Sequence, residues 1–495
     1  MPKLLKIHPN DNVMVAVSAM KAGESFEGIT ALSDIPFGHK IALRDISAGE
    51  AVIKYGYPIG YALTDIKKGE HVHTHNLKTG LSGEIEYSYK PDAAVCDTVR
   101  QADDAPVFMG YRRNDGSAAI RNDIWIIPTV GCVNNIAKRL EKEARGSLLG
   151  RFGEITGIHA FTHPYGCSQL GDDHEYTRVI LKGLAANPNA AGVLILGLGC
   201  ENNTLQSFMP MLEGLNKPIQ AFNVQDVADE TEEGLNLIEK LCSLCNDTKR
   251  VEIPISELKI GYKCGGSDAF SGITANPLCG RLTDLLTAFG GSCVLTETPE
   301  MFGAETILMN RSCAEDIFKA QTRMINSFKD YFTSHGQVIY ENPSPGNKEG
   351  GITTLEEKSL GCIQKGGTAV VTDVLNYGEA IRTRGLSLLN GPGNDIVSST
   401  ALTAAGVHMI IFTTGRGSPL GAPVPTIKMS TNTALFERKP AWIDFDAGSL
   451  LNEPDFDKKV NELLDFVISV ASGKPTNNEI NDYREIAIWK NGVTL

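Results

Sequence analysis

The rhythm of apolar and polar positions changes twice along the chain. Up to about residue 80, short alternating runs such as 13–17 and 40–43 are interrupted by Gly or Pro every eight to twelve residues. A period of two broken by turns predicts a small all-β unit. Two phrases rhyme inside it, ALRDISAGEAVI at 42–53 and ALTDIKKGEHV at 62–72. Each reads strand, Asp-Ile, turn, Gly-Glu, strand, which predicts a β-clip built from related halves. Residues 83–105 are polar and hold no period, as a linker does. From 106 onward strands alternate with helices at 134–144, 172–186, 230–245, 277–289, 314–334, 395–405 and 455–471. That alternation predicts an α/β fold with parallel sheets. The expected layout is a clip at 1–82, the linker, and an α/β region in two parts, 106–253 and 254–495.

Several strands in this region are apolar without alternation, as strands buried on both faces are. Three of them close on Gly-Cys followed by polar side chains: 124–132 ends at Cys132, 158–167 at Cys167 and 191–200 at Cys200. A single Cys in such a place reads as a small core residue. Three in the same context point instead to thiols gathered at the carboxyl edge of the sheet, where α/β folds bind ligands. A β-loop-α-β phrase also occurs twice, at 259–295 and 386–413, and its two polar loops are expected on one sheet edge.

Composition narrows the function classes. The 495 residues carry a net charge of -13, which argues against nucleic acid as a partner. No apolar run is long enough to span a membrane, and the N-terminal residues lack a signal-peptide pattern. Eleven cysteines without paired spacing suit a reducing cytoplasm. Phosphate-binding P-loop, GxGxxG and GxSxG patterns are absent, which disfavours nucleotide cofactors and serine hydrolysis.

Further candidate chemistry lies in six places. His71, His73 and His75 alternate, so on a strand they share a face. They then contact a metal or substrate or, more plainly, form a solvated cluster. The loop KCGGSDAFSGITANP at 263–277 offers Ser267, Asp268, Ser271, Thr274 and Asn276 to a polyol. NPSPGNKEGG at 342–351 reads as a rigid turn presenting Asn347 and Lys348. Arg416, at a strand end, and Arg113, in a hairpin with Arg121, suit an anionic group. His163 and Tyr165, just before Cys167, are acid/base candidates, with a core histidine as the plain alternative.

The motifs GHKIALRDI, GEHVHTHN, YRRNDGSAAIRN, IIPTVGCVN, HPYGCSQLGDDH, LGLGCENN, CGGSDAFSGITANP and ENPSPGNKEGGITTLEEKSLGC run along essentially the whole chain. In this order they resemble the sugar-acid dehydratase family that contains altronate and galactarate dehydratases. HVHTHN and the position of Cys362 fit the altronate branch better. The resemblance implies an N-terminal SAF-type clip, acting as a lid, on a two-part dehydratase region. It implies a lyase of hexuronate catabolism that converts D-altronate to 2-dehydro-3-deoxy-D-gluconate, dependent on Fe2+ with Mn2+ as a substitute. Removal of a proton next to the carboxylate needs a base with a pKa near the working pH, for which His163 or Lys348 is expected, with Tyr165 assisting as acid. Arg113, Arg416, Asn347 and the 267–276 loop are expected to hold the substrate. The iron falls to Cys132, Cys167 and Cys200 or to His73 and His75, and an iron–sulfur cluster on the three thiols stays open. A homodimer or higher homo-oligomer is expected. The competing readings are a galactarate or other aldarate dehydratase and a non-catalytic sugar-acid or metal-binding protein.

Overall fold

A computed structural model describes residues 4–92 and 105–495. The N-terminal unit is all-β. One antiparallel sheet joins Leu4–Leu5, Val13–Ala16, Lys40–Ala42 and His71–Val72, and another joins Ala51–Lys54, Tyr57–Ala62 and Leu77–Lys78. The rhyme in the sequence is a structural repeat, and it has three copies rather than two. Gly23, Gly49 and Gly69 donate to Ala31, Ala62 and Ala42 at 2.8–2.9 Å. Asp34, Asp65 and Asp45 accept from the amides of Ala22, Ala48 and Lys68. The three glycines share φ of 82–85°, a conformation that side-chain-bearing residues avoid. The copy at 20–35 escapes a reading of the sequence because a hairpin separates its parts.

The first α/β unit holds four parallel strands in the order Gly157–Ala160, Asp123–Pro128, Ala190–Gly197, Ile219–Asn223. The second holds seven, all parallel, in the order Val371–Leu375, Gly385–Leu389, Ser292–Leu295, Lys259–Cys264, Met409–Thr414, Thr426–Ser430, Phe445–Asp446. The two β-loop-α-β copies are interleaved here, since the strands of the second copy flank those of the first. Their loops open on the same edge, where Lys263 and Asp395 form an ion pair at 2.8 Å. The predicted helices form at Asn134–Ser147, Gly171–Ala186, Glu230–Cys245, Ala275–Ala288, Glu315–Ser334, Asp395–Ala404 and Phe456–Ala471.

Alternate residues of the central strands face opposite ways, which divides the core. Ile260, Tyr262 and Met409 pack with the helix Ala275–Ala288. Val294 and Ile410 pack with Ala401 and Leu402, and with Ile180 and Leu184 of the first unit. Each sheet thus has both faces covered, as all-parallel sheets require. The chain enters the first unit through Val107–Arg112 and leaves through Arg250–Pro254, and these two strands pair antiparallel. Of the expected linker, residues 93–104 lie outside the described residues. Residues before them pack on the second unit through Tyr87 and Tyr89.

The seam between the units is polar at one end. Asn187 Nδ2 donates to Thr403 O and Val407 O, and Asn189 Nδ2 donates to His408 O at 2.8 Å. Asn189 Oδ1 in turn accepts from the amides of Ile120 and Arg121. All these groups are buried, so Asn189→Ala should cost about 2–4 kcal/mol by stranding a carbonyl and two amides. Urea unfolding should show a lower midpoint without a change in slope.

Candidate functional site

The helix Leu355–Cys362 carries two glutamates, a lysine and a serine, yet every residue in it is buried. Its partners lie in the clip. Glu356 accepts from Thr79 Oγ1 and Gly80 N at 2.7–2.9 Å. Glu357 accepts from Lys40 at 2.8 Å and Lys54 at 2.7 Å. The clip's strands present these two lysines inward, and Lys40 also donates to Gly351 O and Thr353 Oγ1. Burial alone would raise the Glu357 carboxyl, but two ammonium groups hold it down at about 2. Lys40 is pulled down to about 8 by burial, against the attraction of Glu357.

Beneath this helix lies a second charged cluster. Cys264, ending the central strand, sits 3.4 Å from Cys362, and Glu300 Oε2 lies 3.2 and 3.1 Å from the two thiols. Lys365 contacts Cys264 Sγ at 3.1 Å and Lys358 contacts Glu300 Oε1 at 2.7 Å. Lys263 pairs with Glu297 and Asp395. Burial opposes ionisation of Glu300, but Lys358, Lys263 and Lys365 hold its carboxyl well below the usual range. The hydrogen bond with Cys264, together with burial, pushes the Cys362 thiol well up. The donor atoms of Cys264, Glu300 and Cys362 lie within 4.8 Å of one another, close enough for one ion. Lys263, Lys358 and Lys365 already balance Glu297, Glu300 and Asp395, however, and two of these ammonium groups lie directly against the donors, so an ion would have to displace both thiol protons and still face adjacent positive charge. The donor set fits a closed ionic network better than a metal.

A small cavity opens between the clip and this helix, bordered by Lys54, Tyr55, Ser267, Lys358 and Cys362. Tyr55 has φ of 62°, an uncommon conformation for an aromatic residue. Its hydroxyl fits because Gly272 carries no Cβ, which would stand 2.5 Å from it. Burial raises the Tyr55 hydroxyl, so it keeps its proton. Ser267 Oγ is buried against the cavity with no hydrogen-bond partner.

The other predicted loop residues are already engaged. Asp268 accepts from Thr431, Asn432, Ser271 Oγ and the amide of Phe270. Thr274 donates to Thr431 O, and Asn276 bridges Gly361 O and Thr413. Asp268, Ser271, Thr274 and Asn276 therefore build the loop's shape rather than offering free groups. The segment expected to be a rigid turn is a one-turn helix, Pro345–Glu349, closed by a Ser344–Asn347 capping box. Asn347 is consumed by that box and by Ser267 O at 2.8 Å. Lys348 is half-buried beside it, and its ammonium group pairs with no described residue. Arg416 reaches the same helix, donating to Gly346 O and pairing with Glu349 at 2.8 Å.

The expected histidines gather at the mouth of this interface and gain a fourth member, His39. Ring centroids of His39 stand 5.1 Å from His71 and 4.8 Å from His73, and His71 stands 5.3 Å from His75. His39 Nδ1 and His71 Nε2 share a hydrogen bond of 3.0 Å. His73 Nδ1 reaches Thr353 Oγ1, which Lys40 also contacts, so a hydrogen-bonded path runs from His73 to Glu357. Burial, helped by neighbouring cations, lowers His71 to about 4 and His73 to about 3. These rings are neutral at pH 7, as metal-ligating imidazoles must be.

The remaining predicted residues lie in the first unit. Cys132, Cys167 and Cys200 are exposed on loops that follow three adjacent strands. They share one rim, but that rim belongs to the four-stranded sheet, not to the sheet that carries Ser267 and Arg416. His163 is buried, with Nε2 donating to Pro128 O and Nδ1 accepting from the amide of Tyr165. Burial takes it down to about 4, and both nitrogens are spent on backbone, so it serves the loop's structure rather than acting as a base. Tyr165 lies half-buried next to it, away from the clip. Arg113 donates to Pro188 O, Arg121 O and Asn122 Oδ1, while Arg121 pairs with Glu479. Neither arginine is available as an anion clamp. Lys40, Lys54, Tyr55, Glu357, Lys358 and the Cys264–Glu300–Cys362 cluster escaped the sequence reading. The available signal was LEEKSLGC itself, a charged helix with no polar face.

Residues 2–80 match the altronate/galactarate dehydratase SAF domain. Residues 110–246 match the second domain of D-galactarate dehydratase/altronate hydrolase, and residues 255–494 match the D-galactarate/altronate dehydratase C-terminal domain. The chain is 52% identical to altronate dehydratase of Bacillus subtilis, with 100% of both chains covered. It is 49% identical to altronate dehydratase of Escherichia coli, over 99% of each. Galactarate dehydratase (L-threo-forming) of Escherichia coli is 32% identical, over 95% of this chain and 93% of the relative.

Glu357 generates a pH dependence. Its folded-state value of about 2 lies below its ordinary 4.5, so its contribution is full above 4.5 and drains away as pH falls toward 2. That loss amounts to about 3 kcal/mol. Glu357→Gln should lose about 3–5 kcal/mol at pH 7, because two buried ammonium groups lose their anion. Denaturant unfolding of both proteins between pH 7 and pH 3 should show the gap narrowing as the acid arm is reached.

Proposed function

The chain belongs to the D-galactarate/altronate dehydratase family, and from that membership we propose that it removes water from D-altronate, giving 2-dehydro-3-deoxy-D-gluconate. The reaction class is that of a hydro-lyase. The observation that carries the site is the clip-to-helix interface, where the proton-holding Tyr55 and the partnerless Ser267 hydroxyl border one cavity; Lys348 lies beyond that lining, on the Pro345–Glu349 helix that Asn347 ties to Ser267 O. The choice of altronate over galactarate rests on identities of 52% and 49% against 32%.

In this reading Arg416 takes the substrate carboxylate. Its partner Glu349 is exposed, and an exposed ion pair of this kind is cheap to exchange. Ser267 accepts or donates to a substrate hydroxyl. Lys348 removes the proton next to the carboxylate, a role suited to a lysine that is partly desolvated and unpaired. The Lys54 ammonium, 4.8 Å from the Tyr55 ring, adds positive charge where the enediolate forms. Tyr55 protonates the departing hydroxyl. The residues that would hold the implied iron, or manganese in its place, are the imidazoles of His71, His73 and His75 with His39, nitrogen donors joined to the cavity through Thr353; three of these nitrogens would have to draw together around the ion, since among the described residues only Cys264, Glu300 and Cys362 bring three donor atoms within 4.8 Å. When bound, such an ion supplies further positive charge for the enediolate. The free thiols of the ten described cysteines suit a reducing cytoplasm.

The reading is tested by 2-keto-acid formation from altronate and from galactarate with Fe2+ present. Altronate should turn over at least tenfold faster, and equal rates would overturn the substrate choice. Lys348→Met should lower kcat by about 10²–10⁴-fold with KM little changed. A variant that retains kcat would remove Lys348 from the base role.

A further inference from the structure

The mechanism above leaves the three thiols of the first unit unused, although they are the most regularly placed reactive groups in the molecule. Cys132 follows the central strand Asp123–Pro128, and Cys167 and Cys200 follow the strands on either side of it. Their loops are bonded to one another. Gly131 N donates to Tyr165 O at 2.8 Å, Asn203 N to Gly166 O at 3.0 Å, and Ser168 N to Asn202 Oδ1 at 2.8 Å. Thr129 Oγ1 donates to Glu201 Oε1 at 2.7 Å. Gly166 and Gly199, each just before a cysteine, have φ of 99° and 124°. A Cβ on Gly166 would stand 2.0 Å from Thr129 O, so the Gly166–Cys167 turn can pack only as it does. The arrangement holds three exposed thiols on a fixed backbone frame.

We propose that Cys132, Cys167 and Cys200 are the three thiolate ligands of a four-iron, four-sulfide cluster whose fourth iron is left open at the rim. The ligation is simple: each thiol gives up its proton and its sulfur bonds to one iron. Three features favour a cluster over a single ion. The donors are thiolates alone, a set that suits iron–sulfur chemistry, and they number three where a closed tetrahedral zinc site takes four. The ligands of one zinc-like ion, with bonds of about 2.3 Å, stand within about 4 Å of each other. Among the described residues these three sulfurs do not come within 4.8 Å as a set, whereas a cluster takes each thiolate on a different iron. Lastly, an amide donor close to the rim has no partner. Gln169 Nε2 is buried and unpaired, two residues from Cys167. Gln225 Nε2 already points at Cys200 Sγ from 3.6 Å. Amide donors of this kind tune and hold cluster sulfurs. This centre is separate from the imidazole site assigned above, and neither assignment depends on the other.

The test uses the full chain purified without oxygen, then reconstituted with ferric iron, sulfide and excess dithiothreitol. Iron and acid-labile sulfide per chain, visible absorbance and the electron paramagnetic resonance of the reduced protein are measured. Wild-type protein should hold iron and sulfide in equal amounts, with an absorbance that bleaches in air. Cys132→Ser, Cys167→Ser and Cys200→Ser should each lose most of both, and Cys313→Ser, at an exposed thiol in the other unit, should lose none. Circular dichroism on each variant separates ligand loss from misfolding. Iron without sulfide, or a sulfide content unchanged by the three Ser variants, would overturn the cluster. Loss of iron only in His73→Ala would do the same while leaving the imidazole site standing.

Discussion

Glu357 holds two ammonium groups that come from a different domain. Without it, Lys40 and Lys54 would be bare charges inside a protein, at a cost no clip of this size could sustain. With it, the clip docks in one place only, because both lysines must reach the same carboxylate. The cavity, the position of Tyr55 and the hydrogen-bonded path to the histidines all follow from that constraint. Glu356 and Thr354, just before it, bond to the same clip, so the contacts of all three residues fall within one turn of one charged helix.

The second layer of charge behind it follows the same logic with different chemistry. Cys264, Glu300 and Cys362 look like a metal site by spacing, and the lysines decide against it. Ammonium groups fixed against the donors would repel an ion even after both thiols gave up their protons. Here the lysines at 263, 358 and 365 are the counter-ions, each buried and each paired. The imidazoles of His71 and His73 at the mouth differ in kind, kept neutral by burial and yet only half-buried.

Periodic features were legible in the sequence. The seven long helices, the parallel sheets, the clip and the shared edge of the two loops all followed from spacing, because burial of one face imposes a period on the residues themselves. The long-range partners of charged residues were not legible. Asp268 and Asn276 read as ligand groups in a polar loop, and the structure spends them on Thr431 and Gly361, which are remote in sequence. Lys40 and Lys54 carried no signal in the sequence, and their meaning depends on a glutamate some 300 residues away. Buried charge carries no periodic signature, since any residue type can be hidden once its counter-ion arrives from elsewhere.

The antiparallel pairing of Val107–Arg112 with Arg250–Pro254 brings the two ends of the first α/β unit side by side. Everything between them is therefore a closed detour, and its length is nearly irrelevant to the fold that surrounds it. Doubling such a loop adds only about 0.6 kcal/mol of closure entropy once its ends are joined. A chain built this way can acquire, enlarge or exchange the inserted unit while the clip and the seven-stranded sheet keep their register.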